Sequence, residues 1–208
     1  RSERTRLSRK NRDIPIDMLN DIQRSEAKKA AEVMRKGGII LYPTDTIWGI
    51  GCDATNEEAV RRIYRLKERA DSKSMLVLID SEAKLQGLMD EVPELAWDLI
   101  ELTTKPLTII YPQAKGVAPA LIASDGSLGI RLTRETFSAE LCRLMRVPIV
   151  STSANISGQP SARTFGEIAP AILDDVDYIV ECRREEPAGQ ASSIIRLGTR
   201  GEVEVIRQ

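Results

Sequence analysis

The sequence predicts an α/β protein of mixed, α+β-like character, in which helices flank a mixed β-sheet. Apolar runs of strand length alternate with amphipathic helical segments along most of the chain. Several of these runs follow one another with little chain between them, which a purely parallel sheet does not allow. The 208 residues are enough for one large domain, and no linker or internal repeat divides them. We therefore expect one domain over residues 14–208.

The first helix is predicted over residues 25–36 because its apolar side chains recur at helical spacing. Ser25 is a candidate N-cap, and Gly37 and Gly38 end the segment. The apolar face of this helix is formed by Ala27, Ala30, Ala31 and Met34.

A buried strand is predicted at residues 39–43, followed by a long loop over residues 44–54 that is rich in Gly and Thr. The sequence "TNEE" then fits a capping box between Thr55 and Glu58, which predicts a second helix behind it. The remaining strands are predicted at residues 74–80, 107–111, 128–132, 146–150, 177–180, 192–197 and 203–207. The remaining helices are predicted as two within 81–103, the second starting at Pro93, and one each at 136–145 and 164–173.

Composition excludes several classes of function. The chain has no histidine, which excludes Ser-His-Asp and Cys-His catalysis and histidine-ligated zinc. The three cysteines form no C-x-x-C pair and no closed set of disulfides, so a reducing cytoplasm is the simplest setting. No apolar run is long enough to span a membrane, and no secretory signal opens the sequence.

Charge is unevenly distributed along the chain. Residues 1–12 carry a net charge of +5, and the remainder carries −6. A basic arm on an acidic body can contact RNA, but blocks of like charge are also commonly solvated tails. We assign residues 1–13 to an arm and leave both interpretations open.

Two nucleotide-binding motifs are absent or incomplete. "GIGCDA" at residues 49–54 matches G-x-G-x-x-A, but five residues separate it from the preceding strand and the next helix begins beyond it. A dinucleotide-binding turn needs both elements directly adjacent, so we reject that interpretation. The sequence also contains no G-x-x-x-x-G-K-[ST] loop, so it is not a P-loop protein.

Polar side chains are concentrated after the strand at residues 146–150, in "STSANISGQPSA". Ser151, Ser153 and Asn155 alternate, so in an extended chain all three point to one side. Together with backbone N–H groups of the Gly-containing turn, they could hold a phosphate or a ribose. The alternative is an ordinary polar turn that closes the strand.

Three cations are candidate anion ligands. Lys67 and Arg69 can converge only where the helix has ended, and otherwise they simply complement the helix dipole. Arg131 lies between Ile130 and Leu132 in a predicted strand and points to the opposite side from both. Its guanidinium suits bidentate binding of a carboxylate or phosphate.

Taken in order, these segments resemble the YrdC/YciO superfamily, the threonylcarbamoyl-AMP synthases, over residues 27–207. "GGIILYPTDTIWGIGCDA" resembles the opening strand and P-T-[DE]-T loop, "KER" the K-x-R element, and "KPLTII" the P-L-T strand. "GIRL" matches the V-R-x-P strand without its proline, and "PIVSTSANISGQPS" matches the S-x-N element. "ASSIIRL" and "EVIR" resemble the closing S-T-V-V-D and R-x-G segments.

The resemblance implies a YrdC-like twisted mixed sheet flanked by helices, with a concave active-site cleft. It also implies an ATP-dependent nucleotidyltransferase that makes threonylcarbamoyl-AMP and pyrophosphate from L-threonine, bicarbonate and ATP. Mg²⁺ is expected on the phosphates, with no metal ligands assigned among the residues. The implied partners are tRNA and the downstream threonylcarbamoyl transferase complex, the implied location is cytoplasmic, and no membrane is involved.

Site residues follow from the matched motif positions. Lys67 and Arg69 are expected to be catalytic and to bind the ATP phosphates and the carbamate. The other expected nucleotide ligands are Ser151, Ser153, Asn155 and Arg207. The expected threonine ligands are Tyr42, Thr44, Thr46, Arg131 for the carboxylate, and Ser193, with Ser192 as the alternative because "ASSII" aligns either way.

The sequence departs from the family pattern where "KERADSKSM" lacks two prolines and "TKP" replaces a P-G-P. One alternative function is therefore a YciO-like paralogue that binds RNA without making the adenylate. That branch tends to lose K-x-R and S-x-N, and this chain keeps both. Another alternative is a ligase that activates the carboxylate of a different amino acid.

Overall fold

The computed structural model describes residues 19–68 and 75–208. Arg69 and the predicted arm over residues 1–13 lie outside the described residues. The helices are α1 Asp21–Arg35, α2 Glu57–Leu66, α3 Glu82–Gln86, α4 Glu94–Leu102, α5 Thr136–Met145 and α6 Pro170–Asp175. The strands are β1 Ile40–Tyr42, β2 Gly49–Gly51, β3 Leu76–Ile79, β4 Leu107–Tyr111, β5 Leu128–Leu132, β6 Ile149–Ser153, β7 Tyr178–Ile179, β8 Ser193–Leu197 and β9 Val203–Arg207.

One mixed sheet organises the fold, which confirms the predicted fold class. Its strand order is β7-β1-β2-β6-β3-β5-β4-β8-β9. The pairs β1–β7, β3–β5 and β4–β8 are parallel, and the other five are antiparallel. The sheet therefore brings together segments that are far apart in sequence, because neighbouring strands are mostly not consecutive.

Two helices have N-caps different from those that the sequence predicts. The first helix starts at Asp21, and its cap is Asn20, whose side chain accepts a hydrogen bond from the backbone N–H of Gln23 at 2.8 Å. Ser25 therefore lies inside the helix, and its prediction as an N-cap was wrong. The second helix is capped by Asn56 and not by a Thr55 capping box. In both cases an asparagine supplies the acceptor for the first turn.

The predicted loop over residues 44–54 contains β2, which the sequence analysis missed. Two of its three residues are glycines, and glycine has little intrinsic strand preference. Gly51 is required by close packing, because a Cβ there would lie 2.6 Å from the ring of Tyr42 and 2.7 Å from the carbonyl oxygen of Val150. The strand is thus specified by tertiary contacts.

The helix predicted over residues 164–173 is broken in two. A short 3-10 helix, Phe165–Glu167, precedes α6, which begins at Pro170. Proline lacks an N–H and disfavours helical geometry at the preceding residue, so a helix can start at Pro170 but not run through it.

The described residues share one hydrophobic core around the sheet. All four apolar residues predicted for the first helix are buried in it, and α1 packs against α5. Among the described residues, no helix is long and apolar enough to cross a membrane.

Candidate functional site

Strand register gathers predicted site residues on one face of the sheet. The β1–β2–β6 pairing places Tyr42 in line with Ser153. In the neighbouring strands, Leu78 lies opposite both Arg131 and Ile149. Because every second side chain on a strand shares a face, four predicted site residues lie on the same face: Tyr42, Ser151, Ser153 and Arg131.

Lys67 joins the K-x-R and S-x-N segments. Its side chain is buried, and its ammonium donates to the backbone carbonyl of Ser153. The same Nζ lies 3.3 Å from Ser153 Oγ and 3.3 Å from Asn155 Oδ1. The backbone carbonyl of Lys67 accepts from the N–H of Ser157 at 2.9 Å, so the two segments are fixed together. The helix α2 ends at Leu66, so Lys67 is at the C-cap position, from which its side chain reaches these acceptors.

The loop after β1 is held by its own hydroxyl groups. Thr44 Oγ1 donates to the carbonyl of Ile47 at 2.6 Å and accepts from the N–H of Thr46 at 3.1 Å. The hydroxyl oxygens of Thr44 and Thr46 lie 3.1 Å apart, and both side chains are buried. Tyr42 donates to the carbonyl of Val150 at 3.1 Å. Burial raises the pKa of Tyr42 far above its usual value, so the phenol stays neutral.

Arg131 meets a carboxylate that the sequence analysis did not single out. Its Nη2 lies 3.0 Å from Oδ1 of Asp45, and only 3% of the Arg131 side chain is exposed. Asp45 sits between the two threonines of the loop after β1. The sequence signal that could have identified Asp45 is the acidic position of the P-T-[DE]-T motif. Only the threonines of that motif were assigned a role.

The groups around Asp45 have opposing effects on its pKa. Burial raises the pKa of Asp45 above its usual value, and Glu135 adds to this, while Arg131 and Arg183 act in the other direction. Arg183 also donates to the backbone carbonyl of Thr44 at 3.3 Å. The net pKa shift is upward, so Asp45 holds a proton more readily than an ordinary aspartate.

A second polar group forms at the β4–β8 end of the sheet. Thr108 Oγ1 lies 2.9 Å from Ser192 Oγ, and both residues are buried. Arg207 donates through Nε to the carbonyl of Ser192 at 2.9 Å, and its Nη2 lies 3.4 Å from Ser192 Oγ. Ser193 pairs with Leu107, so its side chain shares the face opposite to Thr108. The geometry therefore favours Ser192 over the predicted Ser193.

A cavity of about 340 Å³ lies on the sheet face that carries Ile109 and Ile130, opposite to Arg131. Asp45 belongs to its lining and so connects the cavity with the Arg131 pair. The polar part of the lining also includes Tyr111, Lys105, Arg134 and Glu135.

The family model Sua5_yciO_yrdC, described as "Telomere recombination", matches residues 32–208. The chain belongs to the Sua5/YciO/YrdC family. A Pseudomonas aeruginosa protein named "Threonylcarbamoyl-AMP synthase" is 36% identical over 155 residues, covering 74% of this chain and 83% of that protein. The match includes the segments on which the sequence resemblance rests, which confirms that resemblance.

Solved structures of this family have the same fold. The crystal structure of P. abyssi Sua5 complexed with L-threonine superposes with a TM-score of 0.74 and 28% identity over 84% of this chain. The chain spans about half of that protein, 51%. The structure of E. coli YciO has a TM-score of 0.75 and 24% identity, covering 89% of each chain, and this likeness concerns the fold alone.

Proposed function

We propose that this chain is an L-threonylcarbamoyladenylate synthase, a nucleotidyltransferase that uses L-threonine, bicarbonate and ATP. The observation that carries the proposal is the convergence of Lys67 with Ser153 and Asn155, two residues of the S-x-N segment that lie 86 and 88 positions away in sequence. Identity of 36% to a relative bearing the synthase name supports the same assignment.

The proposed reaction has two steps. The threonine amine and bicarbonate form a carbamate with loss of water. A carbamate oxygen then attacks the α-phosphorus of ATP, a new P–O bond forms, the bond to the β-phosphate bridging oxygen breaks, and pyrophosphate leaves. Phosphoryl-type transfer of this kind depends mainly on positioning and on neutralising negative charge. No histidine is needed, since the carbamate is itself the nucleophile.

In this proposal Lys67 and Arg69 neutralise the phosphates and the carbamate. Ser153 and Asn155, which hold the Lys67 ammonium, take the nucleotide together with Ser151. Arg207 of β9 is assigned to the nucleotide site by its motif position, and it is hydrogen-bonded to Ser192. The proposed threonine ligands are Thr44 and Thr46 in the loop after β1, together with Tyr42 of β1, Arg131 of β5 and one of Ser192 and Ser193.

Mg²⁺ is proposed to bind together with ATP. The described part of the chain contains no group of three or more Asp, Glu, Cys or His side chains that could hold a metal ion. The phosphates themselves are the expected ligands of the ion.

Transfer to tRNA through a downstream complex and a cytoplasmic location also remain proposals. The location is supported by the cysteines, because Cys52, Cys142 and Cys182 are all buried free thiols.

The test is release of pyrophosphate from ATP, with threonine and bicarbonate each present or omitted. Release that requires both, with a product of threonylcarbamoyl-AMP mass, is the expected result. A panel of other amino acids in the same assay tests for a ligase of different specificity. Folded protein that binds RNA without any release of pyrophosphate would overturn the proposal in favour of a YciO-like RNA-binding function.

A further inference from the structure

The Arg131–Asp45 pair is buried but incompletely bonded. Nη2 and Oδ1 form an ion pair at 3.0 Å, yet Asp45 Oδ1 has no hydrogen-bond partner. Arg131 Nε is likewise buried without a partner. Most buried polar atoms in proteins are hydrogen-bonded, so two unsatisfied atoms of opposite charge at one place need an explanation.

A free amino acid supplies the missing partners. Its carboxylate accepts from a guanidinium, and its α-ammonium donates to a carboxylate, so a zwitterion is complementary to Arg131 and Asp45 at once. The two charges of the ligand are carried by groups bonded to one carbon atom, as the two charges of the protein lie next to each other. Asp45 keeps 17% of its side chain exposed and lines the 340 Å³ cavity, which lies on the sheet face opposite to Arg131. A ligand therefore reaches the pair from the side of Asp45.

We propose that Asp45 binds the α-ammonium of threonine and accepts the proton that this nitrogen releases when the carbamate forms. The inference rests on the proposed function and adds to it a residue for the first chemical step. It also gives the Arg131–Asp45 pair a role in choosing amino acids over other carboxylates.

The step balances as follows. The ammonium nitrogen loses two protons and forms one bond to the carbon of bicarbonate. One proton leaves with the bicarbonate hydroxyl as water, as that C–O bond breaks. The second proton goes to Asp45, so an ammonium, a bicarbonate and a carboxylate become a carbamate, water and a carboxylic acid.

The groups facing Asp45 suit a proton acceptor. Arg131 of β5 and Arg183 favour its charged form, while burial and Glu135, at the N-terminus of α5, favour its neutral form. Tyr42 of β1 is close enough for its own pKa to be affected by Asp45, and its phenol stays neutral. Around the cavity the other charged side chains are Lys105 and Arg134, both cationic. The outcome is a raised pKa of Asp45, which makes it a stronger base.

The test compares wild type with Asp45→Asn and Asp45→Glu. Titration calorimetry measures binding of L-threonine and of 2,3-dihydroxybutanoate, in which a hydroxyl replaces the ammonium. Wild type should prefer threonine. Asp45→Asn should bind threonine about tenfold more weakly, while its affinity for the hydroxy acid stays the same or rises, because only the ammonium contact is lost. Asp45→Glu should recover part of the preference.

Kinetics separate catalysis from a structural role. In Asp45→Asn, pyrophosphate release at saturating threonine should fall, and the acidic limb of the wild-type pH profile should disappear. Asp125→Asn is the matched control, because it removes a carboxylate 3.3 Å from Arg196 on the surface. It should leave threonine binding and turnover unchanged. Circular dichroism must show that each variant is folded.

Two outcomes overturn the inference. Tighter or equal threonine binding by folded Asp45→Asn would mean that Asp45 merely competes for Arg131. An unchanged pH profile with a normal rate would exclude proton transfer to Asp45. Either result, obtained while wild type releases pyrophosphate with threonine and bicarbonate, leaves the proposed function intact, whereas a wild type inactive in that assay would contradict the function itself.

Discussion

Arg183 forms an ion pair with Glu135, with Nη1 2.5 Å from Oε1. Glu135 accepts from the N–H groups of Phe137 at 3.0 Å and Ser138 at 2.8 Å in the first turn of α5. Arg183 donates through Nη2 to the carbonyl of Thr44. The pair therefore ties the start of α5 to the loop that carries the predicted threonine ligands.

Replacing Arg183 with methionine should weaken the threonine site specifically. Methionine keeps most of the apolar stem but removes the ion pair and the bond to the Thr44 carbonyl, so the loop loses its restraint. We expect KM for threonine to rise about tenfold, the effect of losing one charge-assisted hydrogen bond, with KM for ATP little changed. Steady-state pyrophosphate release with each substrate varied in turn measures both constants.

Arg143→Met is the matched control for this variant. Arg143 pairs with Glu140 at 2.7 Å, but 52% of its side chain is exposed, and such surface pairs contribute little to stability. Its KM for threonine should equal that of wild type. If Arg183→Met and Arg143→Met give the same KM, the pair does not position the loop.

Lys67→Ala should lower turnover at least about tenfold, because a buried cation aimed at Ser153 and Asn155 would be lost from the charge-stabilising set. We expect the same loss for Arg69→Ala. The measurement is pyrophosphate release at saturating substrates, with circular dichroism to show that each variant is folded. Lys115→Ala, at an exposed position, is the control and should keep the normal rate. Wild-type rates in both folded variants would contradict the assigned roles.

The fold was predictable where local pattern decides structure. The strands β4 and β5 coincide with short, mostly apolar segments, and α5 with a helical repeat of apolar residues, so these bounds are correct to the residue. By contrast, β2 is mostly glycine and forms only because its two neighbours pair with it. No periodicity within the loop could reveal that.

The candidate site was predictable as a set of motifs but not as an arrangement. Which side chains meet depends on strand register and on contacts between distant segments, and these are not encoded in spacing. Lys67 could be paired with Ser153 only once α2 was seen to end at Leu66. The partner of Arg131 was missed for the same reason, since Asp45 is in a loop whose course the sequence does not specify.

Ser192→Ala and Ser193→Ala should separate the two alignments of "ASSII". Ser192 lies with Thr108 and Arg207 in a buried polar group, whereas Ser193 is on the other face of β8. We therefore expect Ser192→Ala to raise KM for threonine or ATP severalfold, and Ser193→Ala to leave both near wild type. Steady-state kinetics on the two variants distinguishes the two alignments, because each variant is the control for the other. The reverse order of effects would restore the original prediction of Ser193.

Glu26→Gln should make stability less dependent on pH. Burial alone would raise the pKa of Glu26. Three donors act in the opposite direction: the backbone N–H of Glu181 and the hydroxyl of Tyr178, each at 2.7 Å, and the ammonium of Lys29. Their combined effect is larger, so the pKa of Glu26 is lowered. A carboxylate with a lowered folded-state pKa stabilises the fold above its unfolded pKa of about 4.3, and this contribution is lost as pH falls through the folded-state value.

At pH 7 we expect Glu26→Gln to lower the free energy of unfolding by about 2 kcal/mol, since hydrogen bonds to a buried charge are lost. The difference from wild type should shrink as the pH falls from the unfolded value through the lowered folded-state pKa, because Glu26 itself then becomes protonated. Urea unfolding at pH 7 and pH 3 measures it. Glu32→Gln, at an exposed position on the same helix, controls for loss of one negative charge. A gap between wild type and Glu26→Gln that is equally large at both pH values would contradict the assignment, because the stabilisation would then not depend on the ionised carboxylate.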